Sequence, residues 1–496
     1  LDEAGDVVVI GAGINGAAIS HALARAGFDV LLVDQGDIGS GTSQSSTMLI
    51  WGGLLYLKDW ELRTVRALCR DRDRLIAGEP DLVKACAVRY LPTPGVRSPL
   101  VVGAAMHAYW LMGLARRVRP RRLGGFDERA LIAAGNGVAW EFEEATLAAS
   151  DARFVLEWVR RGEALGARAR TYSRVTGVHR HGGGRWRIEL TDTITGQISS
   201  VAATVVVNAA GPWADQVNRL AGVETPYRNA LSRGVSLMVA RDPRHHTHLV
   251  FDTADGNTLT LAPWGPVSLW ASTESLHDTV ADAAGITPHD VAELTEEYNH
   301  RFRTPLAAGD IVSVRAGVRP VPVERHEAVD AEGLGLSRHH RLHADESCAW
   351  ITVYGGKLSG CRGLARETLA LVRRHAAPAR PARADSALAA PPTGAFAGVP
   401  GPVVPPAWTV LHEHCRTIED YLRRRTNIAQ WVPRGGFGRH DEHLDAIRAC
   451  ARAIHRGDEA AAARDLAEYR ARVATETDLL AAVDRLLSPS SIGVPA

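Results

Sequence analysis

Charge of one sign is missing from this chain. Its 57 Lys and Arg stand against 56 Asp and Glu, a formal net charge of +1 over 496 residues. That balance removes a global pull toward polyanions, so no nucleic-acid partner is expected. Cysteine is scarce too. Cys69, Cys86, Cys348, Cys361, Cys415 and Cys450 form no CxxC pair, and no Cys/His cluster has the spacing of a zinc site. They read as reduced thiols, and no metal is expected. No apolar run reaches the roughly 18 residues of a spanning helix, and the first residues lead straight into a strand pattern, so no signal peptide is expected. These absences point to a cytoplasmic protein and leave contact with a membrane surface open. The 46% apolar and 23% charged residues are ordinary for a globular chain long enough for two or three domains.

What is present begins with a βαβ pattern. The apolar run Asp6–Ile10 precedes Gly11-Ala12-Gly13-Ile14-Asn15-Gly16. A helical stretch, Ala17–Ala26, is closed by Gly27, and Val30–Val33 is a second strand ending in Asp34. Gly11, Gly13 and Gly16 fit GxGxxG: a tight turn, close backbone approach to a pyrophosphate, and close helix–strand packing. The helix N-terminus then faces the phosphates, and Asp34 stands where a carboxylate accepts ribose hydroxyls. A purely structural glycine turn would need neither the flanking elements nor the acid. NAD and FAD share this fingerprint. The segment Gly41-Thr42-Ser43-Gln44-Ser45-Ser46-Thr47 reads equally as a polar loop or as an FAD segment, whose small hydroxyl residues can hydrogen-bond a pyrophosphate and the isoalloxazine edge.

Further along, Trp60–Arg74 reads as a charged amphipathic helix and Phe154–Leu165 as a helix closed by Gly166. Val175–His179, Arg185–Leu190 and Val201–Val207 read as strands. Thr258–Ala262 and Val267–Ala271 form a predicted hairpin, His289–Phe302 a helix, Trp350–Val353 a buried strand, and Leu358–Arg374 a helix after a Gly-Gly-Lys turn. Ala376–Trp408 is rich in Ala and Pro and reads as a linker or loosely packed crossing segment. Thr417–Gln430 and most of Asp441–Leu487 are helical in pattern. The expected class is α/β: a Rossmann-like FAD-binding domain, a mixed-sheet substrate cap and an all-α C-terminal domain. FAD-binding and cap segments interleave over 1–375 (FAD mainly 1–80, 150–215 and 310–375; cap mainly 81–149 and 216–309). The linker is 376–408 and the helical domain 409–496.

Motifs along nearly the whole chain resemble the FAD-dependent glycerol-3-phosphate dehydrogenase and oxidase family, within the wider D-amino-acid-oxidase-like superfamily. Val8–Gly16 resembles the family's opening IGGGINGAG, and Thr42–Leu57 its TSSASSKLIHGGLRYL. Asp151-Ala152-Arg153 stands at its DAR, and Asn208–Trp213 resembles NATGPW. Gly317-Val318-Arg319-Pro320 matches GVRP, Ser337-Arg338 its SR, and Gly355–Ser359 its GGKLT; Asp420–Trp431 resembles its C-terminal domain. The resemblance implies hydride transfer from a carbinol carbon to flavin N5, with electrons passed on to a quinone or oxygen. It leaves a homodimer open. It also implies noncovalent FAD held by Gly11, Gly13, Ile14, Asn15, Gly16, Asp34, Thr42, Ser43, Ser46, Thr47, Val175, Ala209, Gly211, Trp213, Gly317, Gly356, Lys357, Leu358 and Ser359.

For the substrate, the resemblance points to Arg319, Arg338 and Lys357 as partners of a small anion, with Tyr56 beside them. Forked guanidinium groups suit phosphate. Taken singly each cation could be a solvated surface charge; their place inside matched motifs argues for function. Departures are equally specific. The family histidine before Gly-Gly is Trp51, the arginine before Tyr56 is Leu55, the lysine after Ser-Ser is Met48, and Ser236 replaces the histidine of KGxH. Arg315 stands where the family has a tyrosine, and reads as a new anion contact. Oxidising an alcohol needs a base for its hydroxyl proton. The candidates are Lys357, Tyr56, Glu324 and His326, with Lys357, Tyr56 and Arg319 as the catalytic set. Two explanations stand level: ordinary divergence on the same substrate, or a different anionic alcohol or amine. A flavin protein with little catalysis is disfavoured by the three cations. His245-His246 and His339-His340 read as exposed loop histidines, and the five arginines of Arg116–Arg122 as a solvated loop.

Overall fold

A computed structural model describes residues 3–57, 60–92, 98–133, 138–253, 257–280, 285–327 and 339–487. Among these, eight strands form one sheet and ten another. The first sheet is centred on β1 (Glu3–Ile10). It pairs in parallel with β2 (Val30–Val33) on one side and with strand Ile198–Asn208 on the other. Strands Arg168–Arg170 and Trp350–Tyr354 extend the parallel array. Val7, Val8, Val9 and Ile10 are all buried, as expected of a parallel sheet covered on both faces. Helix α1 (Ile14–Arg25) follows β1 and packs with helices Asp151–Ala164 and Cys361–Val372. The Ser150 hydroxyl caps Asp151–Ala164 by accepting the Arg153 N–H at 3.1 Å.

The antiparallel pair Ser173–His181 and Arg185–Asp192 joins this sheet through strand Ile198–Asn208. The second, mixed sheet carries the predicted hairpin, Thr258–Trp264 against Val267–Ala271. It also carries two long strands, Tyr227–Ala240 and Ile311–Glu324, paired antiparallel. Helix Pro288–Arg301 starts at a capping box, Thr287 with Asp290.

Two regions depart from expectation. The segment predicted as a loosely packed linker is strapped along the back of α1. Arg380 N–H donates to Gly27 O at 3.0 Å, Arg383 N–H to Arg25 O at 2.9 Å, and Asp385 meets His21 at 2.7 Å. The Ala- and Pro-rich composition hid these backbone contacts. The predicted helix Thr417–Gln430 is instead a π-helical turn, Asp420–Arg425, followed by the short helix Ile428–Trp431. Neighbouring residues of an α-helix point about 100° apart. Here Arg424 and Arg425 both reach the Asp37 carboxylate, at 2.5 and 2.6 Å, and Tyr172 donates to Asp420 at 2.6 Å. The wider turn lets adjacent arginines converge.

The C-terminal helices Leu444–Ile454 and Glu459–Leu487 close over a core of their own, with Ile418, Leu422, Phe437 and Tyr469. The long helix then reaches the second sheet. There Val483 joins the core of Phe251 and Trp270, and Glu476 accepts the Val314 N–H at 2.9 Å. All six cysteines are free thiols.

Candidate active site

Two adjoining cavities open where the two sheets meet. The larger, about 510 Å³, lies over the C-terminal ends of β1 and β2 and the start of α1. Gly11 has φ +105°, and a Cβ there would stand 2.5 Å from Ala209 O. A Cβ at Gly16 would lie 1.8 Å from Gly11 O, so helix and strand pack at glycine distance. At Gly13 a Cβ would meet only the Ser43 hydroxyl, at 3.2 Å; the rest of that direction is cavity. The helix start thus presents its N–H groups to open space. Ile14 N–H already donates to Ser43 Oγ at 3.0 Å. Asp34 ends β2 inside the cavity, accepting Ala12 N–H at 2.6 Å and Gly36 N–H at 2.8 Å. Burial raises its pKa while those two N–H groups and nearby Arg424 oppose the rise.

Asn15 donates to Gly355 O at 2.7 Å, and its buried Oδ1 has no protein partner. Val175, Ala209, Gly211, Trp213 and Gly356 complete the walls. A Cβ-free approach, helix-end donors, an acid at the strand end and an orphaned acceptor fit a dinucleotide. Gln216, Leu220, Ser40 and Arg174 line the same space and carried no sequence signal, because each lies outside the fingerprint.

The second cavity, about 310 Å³, shares Ile14, Thr42, Ser43, Pro320 and Gly356 with the first. The hydroxyl-rich loop separates into roles. Thr42 donates to Val318 O, Ser45 to Ala316 O at 2.8 Å, and Ser46 to Asp151 Oδ2 at 2.9 Å. These hydroxyls pin the loop to the protein, while Thr42, Ser43, Ser46 and Thr47, the expected cofactor residues of the segment, all border the cavities. The Ser43 and Thr47 side chains border the second cavity, as do Ser46, Gly317, Leu358 and Ser359.

Arg319 and Lys357 both line this cavity, with Tyr56, Trp51 and Ser236. The Arg319 guanidinium donates to Ser272 Oγ at 2.8 Å. It lies across Gly234, where a Cβ would stand 2.2 Å from its Nη2. Ser272 carried no sequence signal; it follows the strand Val267–Ala271, which pairs with Tyr227–Ala240, the strand that sets Gly234 opposite Gly317. Lys357 is half-buried, with its Nζ 3.8 Å from the centre of the Tyr56 ring. Burial lowers its pKa to about 7. Trp51, Leu49, Leu54 and Leu68 make an apolar wall, and among the described residues no histidine lines the cavity.

Several expectations need correction. Arg315 is buried and does not reach either cavity. It shares a strand face with Arg319, but the loop Gln44–Ser46 crosses over it. Its guanidinium donates to Gln44 O at 3.0 Å and to Ser46 O, with Asp151 at 3.5 Å. Glu324 and His326 are exposed and outside the cavity, since the strand has left the site by then. His245 is buried and bonded to Ser268 at 2.7 Å, with burial lowering its pKa to about 4. Gly16 packs α1 and lines neither cavity. Arg338 lies outside the described residues, as does the Leu55 side chain. No group of three metal-binding side chains occurs among the described residues.

Residues 6–358 match the family of FAD-dependent oxidoreductases known as DAO. The chain is similar to the aerobic glycerol-3-phosphate dehydrogenase of Escherichia coli K12, 29% identical over 376 residues, 74% of this chain and 73% of that one. The glycerol-3-phosphate dehydrogenase of Pseudomonas tolaasii is 28% identical over 375 residues, 75% and 72% of the two chains. In fold it resembles the FAD complex of the Bacillus halodurans glycerol-3-phosphate dehydrogenase. The TM-score is 0.67 at 19% identity, covering 97% of this chain and 96% of that chain. The resemblance read from the motifs agrees with these relatives. The chain belongs to the FAD-dependent oxidoreductases, and it is an enzyme whose cofactor is FAD.

Proposed function

We propose that the enzyme oxidises a CH–OH group of a small anionic substrate of the glycerol 3-phosphate type. The observation that carries this reading is a cavity, joined to the dinucleotide cavity, in which Arg319 and Lys357 face the same space. The names of the relatives support it. Gly13 and the first turn of α1 would hold the pyrophosphate of FAD and Asp34 its ribose; the cofactor would supply a hydride acceptor, with a quinone or oxygen as final electron acceptor.

Arg319 binds the anion. Ser272 fixes its fork and Gly234 leaves it room. Arg338, by its place in the sequence, is the second anion donor. Lys357 takes the hydroxyl proton at Nζ, because an amine with a pKa of about 7 is largely neutral above that pH. The Tyr56 ring face then steadies the ammonium. Trp51 and the neighbouring leucines exclude water. The FAD-binding and cap segments interleave over 1–375, with the helical segment 409–496 buttressing both.

A second reading is a different reactive end on an anionic alcohol or amine. Trp51 in the cavity wall and the lack of a lining histidine among the described residues favour it. Anaerobic reduction of the flavin, then steady-state turnover with a dye or quinone analogue, tests both. Turnover of glycerol 3-phosphate above about 10 per second, the median for enzymes, supports the first reading. Flavin reduced only by a bulkier anionic alcohol or amine supports the second, and no reduction by any of them overturns both.

A further inference from the structure

Several hydroxyls of the second cavity are already spent within the protein. Thr42 bonds Val318 O, Ser43 the Ile14 N–H, Ser45 Ala316 O, Ser46 Asp151, and Ser272 the Arg319 guanidinium. Ser236, Thr258 and Thr260 line the same cavity, and among the described residues their hydroxyls have no hydrogen-bond partner. Ser236 and Thr260 are only 4% exposed. A hydroxyl shut away from bulk water is costly to leave unpaired, so these are satisfied by whatever fills the cavity.

Strand register explains why the three stand together. Thr260 pairs with Ala271, and Ala271 with Ser236. Paired residues of antiparallel strands project from one face, and Thr258 shares that face two residues before Thr260. The small Ala271 leaves a trough between Ser236 and Thr260, which stand two strand spacings, about 10 Å, apart. Arg315 continues the row, but the loop Gln44–Ser46 covers it. The Arg319 guanidinium lies over Gly234, two residues and about 7 Å along the strand from Ser236. The strands Tyr227–Ala240, Thr258–Trp264 and Val267–Ala271 contribute nothing to the lining of the dinucleotide cavity. Their hydroxyls are therefore separate from the pyrophosphate and ribose contacts.

We propose that Thr260 and Ser236, with Thr258 beside them, form a second substrate subsite that hydrogen-bonds an uncharged polar group at the end of the substrate remote from its anion. The inference rests on the reading of Arg319 as the anion's partner. A hydroxyl both donates and accepts, so the trough takes a hydroxyl, carbonyl or amide group. The apolar wall of Leu49, Trp51, Leu54 and Leu68 offers such a group nothing. The substrate class is thus an anionic molecule anchored at two points, by charge at Arg319 and by neutral hydrogen bonds at the trough. A site built to bond a ligand's hydroxyl rejects the analogue that lacks it, because the buried partners are then left unpaired.

The test titrates the FAD-loaded enzyme with propyl and pentyl phosphate and with their terminally hydroxylated counterparts, following the flavin absorbance. In at least one pair the hydroxylated ligand should bind about tenfold tighter, the scale of one hydrogen bond. Thr260→Val and, separately, Ser236→Ala should each cut that preference several-fold, and the double variant should erase it. Binding of the plain alkyl phosphates and the flavin content should hold in all three, and Thr260→Ser should restore the preference. Equal binding within both pairs by the parent, or a preference that survives in the double variant, overturns the subsite. Arg319→Ala separates the two readings. If it abolishes binding of every phosphate while the parent shows no hydroxyl preference, the anion site stands and only the subsite falls. If no phosphate binds the parent, or Arg319→Ala binds them as tightly, the anion reading falls and this inference with it.

Discussion

The two joined cavities are built on opposite principles. The dinucleotide cavity uses backbone: helix-end N–H groups, glycines without Cβ, and one acid at a strand end. Its phosphate-facing part comes from one stretch, Ile10–Ser43, and the opposite wall from 173–175 and 209–220. The second cavity, where we propose the substrate binds, uses side chains from segments far apart in sequence: Trp51, Ser236, Ser272, Arg319 and Lys357. Backbone sites leave a contiguous motif because glycine is chosen for what it omits. Side-chain sites are assembled by strand pairing, and their chemistry can change one residue at a time while the fold stands.

The contrast can be broken or sharpened by mutation. The largest effect is expected at Gly13→Val. The Cβ direction is open apart from Ser43 Oγ, so the chain should fold, but its flavin content should fall below about a tenth of the parent's as the pyrophosphate space fills. Flavin absorbance of the purified protein measures this. A full complement of FAD in the variant would remove the backbone half of the comparison.

Lys357→Met should come next, lowering kcat by about 100- to 10,000-fold with FAD retained. In the parent, activity should rise with pH through a limb near 7, where the amine becomes neutral, and the variant should lose that limb. The same group makes a stability prediction. The unfolded lysine titrates near 10.5 and the folded one near 7. The unfolded chain therefore holds more protons between these values, and the residue's contribution to stability improves as pH rises from about 7 to 10.5. Urea unfolding of parent and variant across that range measures it; parallel curves would mean the amine is charged in the fold.

Arg319→Ala and Arg315→Met separate cavity from support, although the two residues stand four apart on one strand face. Arg319→Ala should weaken substrate binding by roughly 2–4 kcal/mol, the scale for an anion left unpaired, at a near-normal melting temperature. Arg315→Met should cost about 3–5 kcal/mol of stability, because Asp151 loses its buried cation and the carbonyls of Gln44 and Ser46 lose a donor, while the anion preference stays. Titration and thermal melts distinguish them, and a swapped pattern would reverse the assignment. Smallest is Trp51→His, which should raise turnover of glycerol 3-phosphate by a few-fold to about tenfold. An unchanged rate would show that the apolar wall does not limit that substrate.

How much was legible follows from the same contrast. The strands around β1, the fingerprint, Asp34 and the hairpin at 258–271 appear as local periodicity and glycine placement, and the structure places them within a few residues. Arg319 and Lys357 were reachable through motif resemblance. Arg315 was misassigned because nothing in its own segment reports that Gln44–Ser46 crosses over it. Glu324 and His326 were misread for want of knowing where the strand leaves the site. Ser272 gave no signal, as its contact exists only relative to Arg319.

The sequence by itself determined the βαβ opening and a dinucleotide site at its glycine turn. Period-two and helical apolar patterns and a glycine-limited turn are local constraints, satisfied or violated within about thirty residues. Tertiary structure alone decided which cations face the cavity, that the Pro- and Ala-rich segment straps α1, and that a π-helical turn carries Arg424 and Arg425 to Asp37. These depend on which segment covers which, and a buried guanidinium and a cavity-facing one are the same letter until the chain has folded around them.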